Sequence, residues 1–138
     1  MGAVGGSLTA GFYDEGIHKL HPRLPEWVKK FKDWSKGQEP KTGTILGYAT
    51  VYVIAEAIQR AGSVDTEKVI EVLDQGFEIE LPWGTVIMRG CDHQASQPQR
   101  TGVIGFNAEG RPILTEVQEI HGKEFNRSCE EVANLRKK

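Results

Sequence analysis

Residues 43–62 read GTILGYATVYVIAEAIQRAG. Apolar side chains fall at Ile45, Leu46, Ala49, Val51, Tyr52, Val53, Ile54, Ala55, Ala57, Ile58 and Ala61, and almost no polar stripe interrupts them before Glu56, Gln59 and Arg60. A surface helix keeps its apolar residues to one side, so a helix apolar nearly all round is expected to be buried. The apolar run is too short, and its far end too polar, for a membrane span. Gly62 ends it, since glycine enters the left-handed region at little steric cost. Such a helix needs partners around most of its circumference, and the rest of the chain supplies few long apolar segments. That imbalance points to a missing packing partner.

Upstream, Trp27, Val28, Phe31 and Trp34 recur at helical spacing in PEWVKKFKDWSK, residues 25–36, with lysines on the opposite face. Pro25 suits the first turn of that amphipathic helix, Gly37 closes it, and GQEPKTG leads into the apolar helix. Before it, the small, Gly-rich run Val4 to Phe12 reads as a short buried strand entering a loop at Tyr13 to Gly16. Downstream, Ser63 or Asp65 is placed to cap a helix whose apolar side is Val64, Val69, Ile70, Val72 and Leu73. FEIELPWGTVIMRG, residues 77–90, alternates around Pro82 and Gly84 and reads as two strands joined by a tight turn. Cys91 to Pro98 reads as polar and extended. VIGF and PILTEVQEI, either side of Asn107 to Gly110, read as two further strands, and EFNRSCEEVANLRK as a closing helix.

The chain has 138 residues, 38% hydrophobic and 26% charged, which favours a globular domain over disorder. Its net charge of -2 gives no electrostatic reason to expect a nucleic acid partner or an acidic membrane. The opening MGAVGGSLTAG has neither the charged start nor the sustained apolar core of a signal peptide. The two cysteines, Cys91 and Cys129, fit one disulfide or two buried thiols.

Several residues carry chemistry in principle. His18 and His21, near Asp14 and Glu15, are metal-ligand types, but Pro22 breaks any helix that would align them, so solvated loop residues are expected and no metal. Gly2, Gly5 and Gly6 lack the lysine and following helix of a phosphate loop, which leaves tight packing at a strand end. Asp92 and His93 would be the acid-base pair of a small hydrolase, yet adjacent residues on an extended segment point to opposite sides.

The run GYATVYVIAEAIQRAGSVDTEKVIEVLDQGFEIELPWGTVIMRGCDHQ, residues 47–94, resembles the C-terminal third of type I periplasmic solute-binding proteins, the group similar to leucine, isoleucine and valine binding proteins. The Gly-Tyr pair opening a long apolar helix, the AGS-x-D turn, the PWG strand turn and the R-x-x-DHQ segment carry the likeness, which extends over nearly the whole chain. It implies an α/β fold containing parts of both lobes of a two-lobe structure. Residues 1–38 and 99–138 would belong to lobe two, 39–90 to lobe one, and 91–98 would be a hinge crossing. It implies no catalysis and no cofactor.

On this resemblance the chain is the C-terminal segment of an extracytoplasmic binding component of an ABC importer for amino acids or related organic acids, its partners a small-molecule ligand and the transporter's membrane subunits. A ligand-sensing regulator on the same fold is the alternative. Cleft residues would be Phe12, Tyr13 and Tyr48, with a loop anchor the other role for Phe12 and core packing for Tyr48. Asp92, His93 and Gln94 would hydrogen-bond the crossing segments. The position where relatives carry an acidic group for an amino substituent is Val4, which speaks against α-amino acid recognition. Cys129, in a terminal helix that the family folds back toward the hinge, would bridge Cys91. The uncovered flank of the apolar helix would favour a homodimer.

Overall fold

A computed structural model describes residues 15–137 and, as backbone, residues 4–8. Among the described residues six strands form two separate antiparallel sheets. In the first, β1 (Val4–Leu8) pairs with β5 (Gln99–Phe106), which pairs with β6 (Pro112–Ile120). In the second, β2 (Phe77–Leu81), β3 (Gly84–Met88) and β4 (Ala95–Ser96) form a meander. The β2–β3 hairpin matches the alternation read from the sequence, and Gly84 supplies the positive φ of 117° that its turn requires.

Helix α1 (Leu24–Trp34) begins with Pro25 in its first turn. Helix α2 (Thr42–Ala61) is stopped by Gly62 at φ 59°, and its start is fixed by the Lys41 amide donating to Thr44 Oγ1 at 3.3 Å. Asp65, not Ser63, caps α3 (Thr66–Gln75), its carboxylate accepting from the Lys68 amide. Two short 3-10 helices, Glu15–Lys19 and Gly122–Glu124, have no counterpart in the sequence reading. The closing helix α4 (Cys129–Arg136) starts at Ser128, later than expected, because the Ser128 and Glu131 side chains cap each other's amides there.

One core joins the elements. Trp83, Ile17, Leu24, Ile45 and Val86 are its largest fully buried side chains, with Ala49, Val53, Ala57, Phe77 and Leu81 around them. Burial of α2 differs from expectation. Only the stripe Ile45, Ala49, Val53 and Ala57, spaced by four, is covered, while Leu46, Val51, Tyr52 and Ile54 remain exposed. Helix α3 packs on α2 with Val69, Val72 and Leu73 half buried, whereas Val64, expected on that apolar side, is 83% exposed just before the cap.

Residues 91–98 are not simply extended. A turn at 91–94 places His93 at φ 56°, and Ala95–Ser96 then pairs with β3. The Arg89 amide donates to Gln94 O at 3.0 Å and the His93 amide to Arg89 O at 2.9 Å, which closes the turn.

Candidate functional site

Helices α1 and α2 lie side by side with an open groove of about 590 Å³ between them, lined by Trp27, Phe31, Trp34, Gly47, Tyr48 and Tyr52 among others. Gly43 and Gly47 keep the α2 wall low, since a methyl group at either would meet nothing within 4 Å. Tyr48 stands at the centre. Its ring stacks on Tyr52 at 4.4 Å and meets Trp27 and Trp83 edge-on at 5.3 and 5.5 Å. Tyr48 lines the groove and also meets the fully buried Trp83, so it packs on the core whatever else it does. Burial pushes its phenol up to about 12, with Tyr52 acting in the same direction. Aromatic faces of this kind offer area, and the tyrosine oxygens a polar tip. Phe12 and Tyr13 lie outside the described residues.

The turn after β3 holds the second predicted set, and its members work separately. Asp92 accepts from Arg89 at 3.1 Å (Nε) and 2.9 Å (Nη2), and from the Gln94 amide at 3.2 Å. His93 reaches away, to Asp74 of α3 at 2.7 Å. Asp92 and His93 therefore form no acid-base dyad. Gln94 takes part through its backbone. Arg89, present in the sequence only as the first residue of the R-x-x-DHQ segment and given no role there, is the organiser: it also donates to Arg127 O at 2.7 Å and ties the turn to the C-terminal segment. Cys91 and Cys129 are joined by a disulfide, with Cα atoms 5.6 Å apart.

His21 corrects the expectation of a solvated loop residue. Its side chain is 12% exposed, and Nε2 lies 2.7 Å from Glu119 Oε1. Arg100, 5% exposed, meets the same carboxylate oxygen at 2.8 Å and donates to Trp83 O at 2.6 Å. A His21 Nε2 that gives its proton to Glu119 has no lone pair left for Arg100 Nη2, so their 3.2 Å separation is a contact only. Burial draws the guanidinium pKa of Arg100 down, and Glu119 opposes it. Trp83 Nε1 donates to Gln97, which extends the network into the segment before β5. Partners 98 residues apart, as His21 and Glu119 are, leave no local trace in a sequence. Among the described residues no group of three or more His, Cys, Asp and Glu is placed to hold a metal ion.

No curated protein is significantly similar to the chain in sequence. A solved structure described as an ABC-type branched-chain amino acid transporter, from Rhodopseudomonas palustris CGA009, is similar at a TM-score of 0.65 and 27% identity over 77% of the chain. The chain spans 29% of the length of that protein. The family model described as "Periplasmic binding protein" matches residues 2–108. With most of its length matched and its mixed α/β architecture shared with a solved relative, the chain belongs to the type I periplasmic binding protein family.

Proposed function

We propose that the chain is a C-terminal segment of the extracytoplasmic solute-binding component of an ABC importer, taking amino acids or related small organic acids. The family match over residues 2–108 is the observation that carries this reading, and the similarity to a branched-chain amino acid transporter structure agrees with it. The mechanism is ligand-driven closure of two lobes, not covalent chemistry. The strand pairing supports the lobe assignment: β1 joins β5 and β6 in one sheet across the chain, as lobe-two segments 1–38 and 99–138 would, while β2 and β3 pair in the other sheet, as a lobe-one segment 39–90 would. Residues 91–98 then form the crossing. Tyr48 and the aromatic groove are the candidate ligand wall, with Phe12 and Tyr13, which follow β1 in the sequence, as the further candidate contacts.

Calorimetric titration tests this. A protein carrying the whole two-lobe fold is expected to bind an amino acid or small organic acid without converting it, and the 138-residue chain alone to bind weakly or not at all, because a closed state needs both lobes. Turnover of the ligand, or submicromolar binding by the isolated monomer, would overturn the reading. The exposed flank of α2 also supports pairing of two isolated chains, for which sedimentation velocity is the check; a monomer at all concentrations would reject it.

A further inference from the structure

Helix α4 is held to the molecule in an unusual way. None of its residues is buried, and Leu135, its largest apolar side chain, is half exposed. Apolar packing therefore gives it little hold. The attachments are covalent and polar: the Cys91–Cys129 bond, the Arg89 guanidinium on Arg127 O at 2.7 Å, and Asn126 Nδ2 on Ser96 Oγ at 2.7 Å. All three fall on one short stretch, residues 89–96, and all three hold the segment 126–129. Cys129 is exposed, so the bond is open to a reagent in solution.

We propose that this segment is a redox-controlled strap: oxidised, it pins α4 across the 89–96 turn; reduced, it lets α4 leave and the turn loosen. The reductant is a dithiol. One of its thiolates attacks Sγ of Cys129, the more exposed residue of the pair, forming a mixed disulfide and expelling the Cys91 thiolate, which takes up a proton. The second dithiol sulfur then displaces the Cys129 thiolate, which is protonated in turn. Two electrons and two protons pass from the dithiol to the protein, leaving two free thiols and a disulfide in the reagent. With the covalent link gone, one exposed and one half-buried hydrogen bond, both outside the helix itself, remain to hold a helix with no buried residue, and they are too weak to keep it docked.

The strap does not depend on the solute-binding reading, because its test needs no ligand. Amide hydrogen exchange by mass spectrometry is compared for the full chain as isolated oxidised, after dithiothreitol, and as the Cys91→Ser/Cys129→Ser variant. Exchange in residues 129–136 and 89–96 is expected to rise at least about tenfold in both states that lack the disulfide, with α2, β5 and β6 unchanged. Equal protection of α4 in all three states would overturn the proposal. So would loss of protection throughout the chain on reduction, which would make the bond a global staple; circular dichroism separates that case from local release.

Discussion

The indole Nε1 of Trp83 donates to Oε1 of Gln97 at 3.0 Å, and both residues are closed off from water. Trp83→Phe keeps most of the ring in place but strands the Gln97 oxygen without a donor. The expected cost is about 1–3 kcal/mol, the penalty of an unsatisfied buried polar group together with the lost packing. Urea denaturation monitored by circular dichroism measures it, and a midpoint equal to that of the parent chain would show the bond to be dispensable.

Glu119 stands between two cationic or potentially cationic partners, and Arg100 depends on it for charge compensation. Glu119→Leu is expected to cost about 3–5 kcal/mol, since the guanidinium would remain buried without a counter-charge. His21→Ala leaves the Arg100–Glu119 pair intact and is expected to cost much less. Equal losses in the two variants would contradict this order.

For Tyr48 the raised pKa means that the folded chain favours the neutral phenol. That contribution is fully present below the ordinary tyrosine value of about 10 and fades as pH climbs through about 12. Stability is therefore expected to fall across this alkaline window, and Tyr48→Phe, which cannot ionise there, to fall less steeply. Thermal melts at stepped pH make the comparison; parallel declines would rule out Tyr48 as a cause.

Two glycines predict opposite outcomes for the same substitution. A methyl group at Gly90 would lie 2.1 Å from Asp74 O, a backbone atom that has no rotamer to change, so Gly90→Ala is expected to destabilise by about 1–3 kcal/mol as α3 and the 89–94 turn are forced apart. At Gly47, inside α2, a methyl meets nothing, and Gly47→Ala is expected to stabilise by about 0.5–1 kcal/mol through helix propensity. Chemical denaturation of both variants, side by side with the parent, is the measurement.

What was legible in the sequence is what neighbouring residues decide among themselves. The span of α2, an α3 cap at Ser63 or Asp65, the PWG hairpin and the β5–β6 pair follow from periodicity and from the placement of glycines and capping residues, all short-range properties. The partial exposure of α2 was not legible, because an apolar helix records what it is able to pack against and not what surrounds it in a given chain. The buried His21, Arg100 and Glu119 escaped for a different reason: each looks like an ordinary surface residue until the fold brings segments from both ends of the chain together. Arg89 belongs to the same class, since its partner on Arg127 is a backbone carbonyl, which every residue possesses. At the groove, Tyr48 was visible through its Gly-Tyr setting, whereas Trp34, 80% exposed, read as one more core position of α1.

Among the described residues strand β1 pairs with β5 alone, and the register sets Val4 opposite Ile104 and Leu8 opposite Arg100. Every hydrogen bond that seats it therefore waits on residues near the other end of the chain, across a loop whose closure costs entropy before any contact repays it. On a ribosome, where synthesis runs from the N-terminus, β1 emerges well before β5 and cannot make this pairing until β5 has followed. The β2–β3 hairpin and the α2–α3 pair are local and form on their own schedule. The order of assembly is thus the reverse of the order of synthesis for this strand, and its exposed backbone edge is a place for a chaperone or a second chain to bind while it waits.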